Sequence, residues 1–561
     1  MKRKIYCLAV SLGLIVASCG SPEKMKDAAD QIKVKCSPAV LEARAGTIKA
    51  KITVTFPEKY FHPDAILEML PVIKYAGGEV PGVAKVLQGE KVKDNNAIIS
   101  QKGGEYTQDL TFDFIDEMKV ATLEVRPTLI VKGQRLQFAN DIKAADGVIA
   151  TYKLAEVEVA PVINEDAYEK TVEESKEAEI KFIINQAIVR SSELKKEDVK
   201  ALEKFVADAL KSSGKQTVKE LRISSYASPD GAENLNEKLS ANRGKSATDA
   251  LRTSLKKSKI APGKDLVAVE ATAEDWEGFK ELMSASDIQD KELVLRVLSM
   301  YNDPAVRERE IKNISSVYKV IANEILPELR RSKLLATVEV ANLSDDEIKA
   351  LVDADDLEKL DVEQLIYAAN NLYTDENVKV KLYQKAGESF SDFRAYNNLA
   401  ALYLAQKKAS DAKSAADAAL AANGSDVKVK NNAGYVALLQ GNTAEAEKQL
   451  ASAGLDESKQ GLGYIAIGKG EYSQALTLLK GSKNVNEALA LLLNGKIDEA
   501  ATLLAELNSA KAYYLKAVIG ARKSSESDVL DNLNKAFELD ATLKDASKKD
   551  AEFAAFWPKI Q

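Results

Sequence analysis

The sequence predicts three folded parts: an N-terminal β-sandwich, a central α/β sandwich and a C-terminal all-α solenoid. Apolar and polar residues alternate repeatedly within residues 32–163, which is typical of half-buried antiparallel strands. Strand-like and helix-like stretches alternate within residues 179–342, the pattern of an α/β sandwich. From residue 395 onward, small and apolar residues recur at a fixed spacing, as in helical repeats. With 561 residues, the chain is also too long for a single core.

Composition and charge exclude several classes of partner. Hydrophobic residues make up 45% and charged residues 29% of the chain, as in soluble globular proteins. The formal net charge is -7, and residues 1–18 carry three positive and no negative charges, so the chain without them has a charge of -10. An acidic chain is a poor partner for nucleic acid or anionic lipid headgroups. We therefore expect no nucleic-acid partner.

The N-terminus predicts a secreted, lipid-anchored protein. Lys2, Arg3 and Lys4 precede an apolar run that ends in Val16-Ala17-Ser18-Cys19. This order resembles a lipoprotein signal peptide, residues 1–18, followed by a tether, residues 19–31. The resemblance implies that Cys19 is acylated, for example by palmitate, and that the protein sits in the outer membrane facing the periplasm. The alternative is an ordinary cleaved signal in which Cys19 is incidental.

Residues 32–163 predict the β-sandwich. In its clearest strand Ile48, Ala50, Ile52, Val54 and Phe56 alternate with polar residues. Similar alternation predicts further strands, among them one containing Val157 and Val159. His62, the only histidine of the chain, precedes Pro63 and is interpreted as a turn residue because no second histidine can share a metal with it. No metal or cofactor is expected.

Residues 164–178 are rich in Glu and Lys and predict a linker or exposed helix. The α/β part, residues 179–342, is expected to open with a strand at residues 180–185 and to end with a strand at residues 334–340. A helix with apolar residues on one side lies between residues 199 and 210, and an extra helical stretch occupies residues 272–326. Arg330 and Arg331, just before the last strand, are candidates either for anion binding or for decorating a sheet edge.

The most informative stretch runs from Leu221 to Arg243 as strand, loop and helix. Its loop is Tyr226-Ala227-Ser228-Pro229-Asp230-Gly231, and its helix carries Asn236, Leu239, Ser240 and Arg243. Residues four apart lie near one face of a helix, so Leu235, Leu239, Arg243 and Ala247 are expected to form a ladder whose leucines pack on the sheet. Because helical side chains lean toward the N-terminus, Arg243 is expected to reach back to the loop.

These residues resemble the OmpA-like peptidoglycan-binding domain, in the Y-A-S-P-D-G variant found in outer-membrane proteins of the Bacteroidetes. The resemblance implies a ligand site in which a loop aspartate and the helix arginine hold the zwitterionic end of diaminopimelate. Ser228 stands at the position of that aspartate and cannot pair a charge. Hydrogen bonds to charged groups are worth about 1.5–3 kcal/mol against about 1 for neutral ones, so Asp230 or Glu233 would have to substitute. The candidate peptidoglycan-binding residues are therefore Ser228, Asp230, Asn236 and Arg243.

Residues 343–394 predict a helical connector that opens with a capping box, Ser344 and Glu347, and contains a degraded repeat near residues 381–386. Residues 395–561 then resemble tetratricopeptide repeats, because Gly434, Ala437, Ala446, Leu450 and Ala453 lie 34 residues after Ala400, Tyr403, Ala412, Ala416 and Ala419. Small residues let paired helices approach closely, and stacked pairs curve into protein-binding surfaces. A plain helical bundle is the alternative.

No catalytic constellation emerges from the sequence, so no enzyme activity is expected. The favoured function is an outer-membrane lipoprotein that links the membrane to peptidoglycan through the OmpA-like domain and to protein partners through the repeats. One alternative is a scaffold for an outer-membrane secretion, motility or barrel-insertion complex that does not bind the wall. Another is a surface adhesin or fimbrial anchor.

Overall fold

The computed structural model describes residues 21–212, 214–257 and 266–560. Its chain divides into two compact units. The split unit combines the described residues up to Asn164 with those from Tyr383 onward, and the inserted unit comprises Glu165–Leu382. The predicted signal peptide and Cys19 lie outside the described residues.

The strands of the described residues follow in chain order. They are β1 Lys33–Ser37, β2 Val40–Arg44, β3 Thr47–Phe56, β4 Ile66–Tyr75, β5 Gly78–Pro81, β6 Lys85–Gln88, β7 Ala97–Ile98, β8 Gly104–Asp113, β9 Ala121–Val131, β10 Gln134–Gln137, β11 Ile142–Ile149, β12 Thr171–Lys181, β13 Gln216–Tyr226, β14 Val267–Thr272 and β15 Arg331–Ala341.

The helices of the described residues are numbered in the same way. They are α1 Lys24–Asp27, α2 Glu197–Lys211, α3 Glu233–Lys257, α4 Trp276–Ala285, α5 Lys291–Met300, α6 Pro304–Asn313, α7 Ser315–Glu324, α8 Asp345–Asp353, α9 Val362–Tyr367, α10 Glu376–Phe390, α11 Phe393–Ala405, α12 Ala409–Asn423, α13 Val427–Leu439, α14 Thr443–Ala453, α15 Asp456–Gly468, α16 Tyr472–Leu479, α17 Val485–Leu493, α18 Ile497–Ala505, α19 Ala510–Arg522, α20 Glu526–Leu539 and α21 Thr542–Ser547.

The N-terminal part is β-rich, as its alternating pattern predicts. Its strands follow the path β1-β3-β2-β11-β9-β4-β6-β7, with β8 beside β3, β10 beside β9 and β5 beside β4. Strand β2 joins two groups of strands, because Ala43 pairs antiparallel with Ile48 of β3 while Val40 pairs parallel with Asp146 of β11. Both groups turn their apolar residues into one core, in which Ile52 of β3 is as fully buried as Leu123 of β9.

The C-terminal part consists of stacked helical hairpins, which confirms the predicted repeats. Within residues 393–539 they are the pairs α11–α12, α13–α14, α15–α16, α17–α18 and α19–α20. Close helix packing explains the small residues, since a Cβ on Gly434 would lie 2.6 Å from Leu450 Cγ and one on Gly463 would lie 2.4 Å from Leu479 Cγ. The turn inside each hairpin has a residue with positive φ at the same place, namely Lys407, Gly441, Gly470, Gly495 and Ser524.

The β-rich part and the repeats share one hydrophobic core within the split unit. Residues from both parts belong to the same buried cluster. Arg44 at the end of β2 donates from Nε to the Gly470 carbonyl oxygen at 2.8 Å and stacks over the Tyr472 ring at 4.6 Å. Two parts that are separated by more than 200 residues of sequence therefore fold as a single unit.

The inserted unit is built on a four-stranded sheet in the order β12-β15-β13-β14. Strands β12, β15 and β13 are antiparallel neighbours, while β13 and β14 run parallel. Helices α2 and α3 complete its core through apolar residues such as Leu202 and Leu251. The predicted helical stretch at residues 272–326 forms α4 to α7, which enclose a separate apolar cluster that includes Phe279 and Ile321.

Two boundaries differ from the prediction. Residues 171–178, predicted as part of a linker, belong to strand β12. This strand is at the edge of the sheet and most of its side chains from Thr171 to Glu177 are exposed, so its composition resembles that of a linker. The strand predicted at residues 180–185 accordingly begins and ends earlier, at Thr171 and Lys181.

The capping box of Ser344 and Glu347, which the sequence predicts, is present at the start of α8.

Candidate functional site

Helix α3 approaches the sheet of the inserted unit along a polar stripe. Asn236, Ser240, Arg243 and Ala247 are buried, whereas Leu235 is 64% exposed. The prediction that Leu235 and Leu239 pack on the sheet was therefore wrong. Residues spaced strictly by four drift around a helix of 3.6 residues per turn, whereas the buried residues, spaced by four, three and four, stay on one side of it. The close approach needs a glycine in α3, since a Cβ on Gly244 would lie 2.8 Å from Val269 Cγ1.

Arg243 is only 1% exposed and is held by main-chain carbonyls. Its Nη1 donates to Tyr226 O at 2.8 Å, its Nε to Gln186 O at 3.0 Å and its Nη2 to Ile183 O at 3.4 Å. The side chain does reach back to the loop, as expected from its direction. Burial, with repulsion from nearby Arg330, lowers the pKa of the guanidinium from its ordinary 12.5 to about 10, so it stays protonated at neutral pH. In this arrangement Arg243 fixes the segments around the loop.

Asp230 supplies the carboxylate that Ser228 lacks, and Arg330 pairs with it. Arg330 Nη2 donates to Asp230 Oδ2 at 3.1 Å and Arg330 Nε to Ser228 Oγ at 3.2 Å. The Ser228 hydroxyl in turn donates to Asp230 Oδ1 at 2.6 Å. The side chains of Arg330 and Asp230 are 12% and 18% exposed, so this pair lies at the edge of the surface. The sequence had left the role of Arg330 open, and the structure makes it the charge partner of the loop.

Asn236 ties the loop to the start of α3. Its Nδ2 donates to Gly231 O at 3.1 Å and to Ser228 O at 3.2 Å. Pro229 of the loop packs near helices α4, α6 and α7. The cavity between Pro229 and these helices has a volume of about 10 Å³ and is also lined by Trp276 and Tyr318. A cavity of this size barely accommodates one water molecule. The four candidate residues are thus brought together around one loop, but their polar groups are largely satisfied within the inserted unit.

A second candidate site lies on the first helices of the hairpins in the split unit. Residues 155–164, which we call the strap, run across these helices without belonging to any strand. The strap is held by five buried asparagines, which we call the asparagine ladder: Asn397, Asn398, Asn431, Asn432 and Asn486. These asparagines are not among the site residues that the sequence predicts. The adjacent pairs at 397–398 and 431–432, 34 residues apart in the repeat, were the signal that could have identified them.

Three asparagines of the ladder bind the main chain of the strap in the same two-bond manner. Asn398 accepts from Asn164 N at 2.6 Å and donates to Asn164 O at 2.8 Å. Asn432 accepts from Val162 N at 2.9 Å and donates to Val162 O at 2.8 Å. Asn486 accepts from the N–H of Glu156 at 3.0 Å and donates to its carbonyl oxygen at 2.7 Å.

The two remaining residues of the asparagine ladder also donate to the strap, Asn431 through one hydrogen bond and Asn397 through two. Asn431 donates to Ala160 O at 2.9 Å, and Asn397 donates to Val162 O at 2.9 Å and to Asn164 Oδ1 at 2.7 Å. Beside the ladder, Asn484 donates to Glu158 Oε2 at 2.6 Å. These contacts make the helical face a site that holds an extended peptide by its main chain.

The strap corrects one expectation. Val157 and Val159 were predicted to belong to a strand of the β-sandwich, but the segment pairs with asparagine side chains of the repeats instead of with a strand. The alternation had indicated an extended backbone, which the amide pairing also requires, and alternation alone does not specify the partner.

Within residues 21–212, 214–257 and 266–560, no group of three or more His, Cys, Asp or Glu side chains is placed to hold a metal ion. Of the helices in that part of the chain, none has the length and apolar character needed to cross a bilayer.

Comparison with known proteins gives structural neighbours only. No family model matches the chain, and no curated protein matches it. The neighbours include the tetratricopeptide repeat protein YrrB, described as having an unusual peptide-binding site, at 22% identity over 29% of this chain and 94% of that one with a TM-score of 0.24. A tetratricopeptide repeat protein from Parabacteroides merdae matches at 14% identity over 37% and 90% of the two chains with a TM-score of 0.28.

The APC/C hetero-tetramer Cut9-Hcn1 matches at 14% identity over 59% of this chain and 77% of that one, with a TM-score of 0.29. Similarity at these TM-scores carries no weight for the fold or the function. The assignment of helical hairpins therefore rests on the helices of this chain.

Proposed function

We propose that this protein is a scaffold that binds protein partners through its helical repeats. The observation that carries this proposal is the asparagine ladder, whose buried amides bind the main chain of an extended segment. A helical face that binds one extended segment has the chemistry to bind another, since every peptide offers the same N–H and C=O groups. The scaffold acts without catalysis.

The scaffold is anchored in the outer membrane through acyl chains on Cys19 and faces the periplasm. Each buried methylene contributes about 0.8 kcal/mol, so several chains anchor a protein durably. Radioactive or click-labelled palmitate tests this anchor: the label should enter the wild-type protein in cells and be absent from Cys19→Ser. Equal labelling of both would remove Cys19 from the proposal.

The OmpA-like resemblance concerns the inserted unit, for which we propose a role in assembly that does not include wall binding. Two observations support this role: Arg243 is buried against carbonyls, and Asp230 already has a cationic partner in Arg330. A ligand at this loop would have to break that pair. The partners would be components of an outer-membrane secretion, motility or barrel-insertion complex. In a further alternative the protein is itself a surface adhesin or fimbrial anchor.

Peptidoglycan binding is the second candidate, and the partly exposed pair of Asp230 and Arg330 favours it. A zwitterion such as the end of diaminopimelate could take the place of the pair, with its ammonium on Asp230 and its carboxylate on Arg330. Charge-assisted hydrogen bonds of this kind are worth about 1.5–3 kcal/mol each before the cost of opening the existing pair. In this version Arg330, and not Arg243, contacts the ligand.

Sedimentation with purified peptidoglycan decides between these candidates. Arg330→Gln and Asp230→Asn remove the pair, and Arg309→Gln, an exposed arginine of the same unit, is the matched control. Wall binding requires that the wild type and Arg309→Gln sediment while the other two do not. Assembly without wall binding requires that none of the four proteins sediments with peptidoglycan.

Crosslinking in cells tests the scaffold itself. After the wall is digested, a scaffold should copurify with envelope proteins at a fixed stoichiometry. Recovery of the protein alone would contradict the proposal. Protease treatment of intact cells determines on which side of the outer membrane the protein lies. A surface adhesin is cleaved, whereas a periplasmic scaffold is protected.

A further inference from the structure

We propose that the asparagine ladder is a peptide-binding site that the chain fills with its own strap, so that a partner peptide must compete with residues 155–164 for this face. The proposal rests on the function proposed above and deepens it. It assigns the partner a chemical class: an extended peptide that is recognised mainly by its main chain.

The register of the strap supports a site that recognises the main chain. The residues bonded to the ladder through their main chain are Glu156, Ala160, Val162 and Asn164, all at even positions. In an extended chain the N–H and C=O of alternate residues point to the same edge, so the even positions face the asparagines. Pro161, which has no N–H, is at an odd position, where no asparagine of the ladder accepts a main-chain hydrogen bond.

One side chain adds specificity. Glu158 accepts from Asn484, which also caps the N-terminus of α17 by accepting from Glu487 N. The positive end of a helix favours a carboxylate nearby. A competing peptide therefore carries an acidic residue four positions before the residue that pairs with Asn432, and it has no proline at the paired positions.

The exposure of the strap allows a partner peptide to displace it. Its residues from Ala155 to Val162 are only half-buried, and side-chain amides provide the main-chain bonds described above. Segments with exposed surface and few packed contacts open at lower free energy than the core. A tethered segment has an effective concentration of the order of 1 mM, so a strap with an intrinsic Kd of about 10 µM would weaken a competitor about 100-fold.

The test compares the full-length wild type with a full-length variant in which residues 156–163 are replaced by a Gly/Ser segment of equal length that carries proline at positions 156 and 162. The two prolines are needed because a Gly/Ser segment alone would still donate the N–H groups that Asn486 and Asn432 accept. The probe is a fluorescein-labelled synthetic peptide of residues 154–166, followed by fluorescence anisotropy. We expect saturable binding to the variant and binding about 100-fold weaker, or none, to the wild type. Circular dichroism and thermal melting establish that the variant is folded.

Two altered peptides act as controls that do not affect the protein fold. A peptide with Val162→Pro lacks the N–H that Asn432 accepts and is expected to lose at least tenfold in affinity. A peptide with Val159→Pro alters an odd position and is expected to stay within a few-fold of the native peptide.

Equal binding of the native peptide to variant and wild type, or equal affinity of the two proline peptides, would overturn the proposal. If the variant does not fold, hydrogen exchange on the wild type takes its place: the strap amides must exchange through an opening of lower free energy than global unfolding, and exchange only by global unfolding contradicts competition. Failure of the scaffold function is a separate result, because it is measured by copurification from cells.

Discussion

Substitution of Asn432 by alanine tests whether the ladder stabilises the strap. Asn432 is fully buried, and its amide forms two bonds with Val162, two from Nδ2 to Asn397 (Oδ1 at 2.8 Å and O at 3.4 Å) and one that it accepts from Asn431 Nδ2 at 3.2 Å. In Asn432→Ala the Val162 N–H and Asn397 Oδ1 lose their partners, whereas Val162 O keeps its bond from Asn397 and Asn431 keeps its bond to Ala160 O. Leaving a buried polar group unsatisfied costs about 1–3 kcal/mol, so two such groups cost about 2–4 kcal/mol after partial access of water.

Hydrogen exchange followed by mass spectrometry measures this cost where it occurs. A loss of about 2–4 kcal/mol raises the opening equilibrium at the Val162 amide by about 30- to 1000-fold, since each 1.4 kcal/mol is a factor of ten. The amides of β3 in the same unit should change far less, because local opening of the strap leaves the core closed. A local readout is also preferable because unfolding of a chain with two units is not a two-state process.

The control is Asn508→Ala, at an exposed position in the loop before α19. A surface substitution of this kind is expected to change stability by no more than about 0.5 kcal/mol. The reasoning is refuted if the protection of the strap in Asn432→Ala stays within threefold of the wild type. It is also refuted if the alanine at position 508 has the same effect.

Three further predictions concern other parts of the chain. Gly434→Ala should destabilise the repeats by about 1–3 kcal/mol, measured by hydrogen exchange at the amides of α13 and α14, because its Cβ would lie 2.6 Å from a leucine side chain. Gly468→Ala, with nothing within 4 Å, should be neutral or slightly stabilising, and equal effects of the two substitutions would contradict close packing at Gly434. The bond from Lys215, with bonds from Ser344, lowers the pKa of the Glu347 carboxyl from its ordinary 4.5 to about 2. The Glu347 carboxylate therefore contributes its full stabilisation above pH 4.5 and loses it as the pH falls toward 2. NMR titration should find a higher pKa for Glu347 in Lys215→Ala than in the wild type. Arg243→Met should lower the free energy of unfolding of the inserted unit by about 3 kcal/mol or more because three carbonyls lose their donor, and hydrogen exchange at the β13 amides measures this loss. A loss below about 1 kcal/mol would contradict the structural role. Arg243→Lys should recover only part of the stability because an ammonium lacks the guanidinium fork.

The helical repeats were predictable because their determinants are local. The small residues that recur in the sequence lie where paired helices touch, as the contact of Gly434 with Leu450 illustrates. The alternation of β3 was equally informative, since its buried and exposed residues alternate in the structure as in the sequence. Strand β12 was partly missed because an edge strand with exposed charged residues has the composition of a linker.

Features that depend on distant partners could not be predicted in the same way. The sequence identified Asp230 and Arg243 as members of one loop-and-helix motif, but it did not show that Arg330 pairs with the first or that main-chain carbonyls enclose the second. For the strap, the sequence indicated an extended backbone and nothing more. Its partners lie 233 to 330 residues further along the chain, and no local pattern connects them.

The split of one unit around another has a consequence for biosynthesis. The ribosome delivers the β-rich part first and its helical counterpart last, while the contiguous Glu165–Leu382 is complete in between. The hydrogen bond from Arg44 to Gly470 cannot form until Gly470, 426 residues further along the chain, has been synthesised. Contacts of such separation form slowly and leave apolar surface uncovered in the meantime. The β-rich part therefore requires protection from aggregation until the repeats have been synthesised, and truncation of α19 to α21 removes apolar residues of the core that the two parts share.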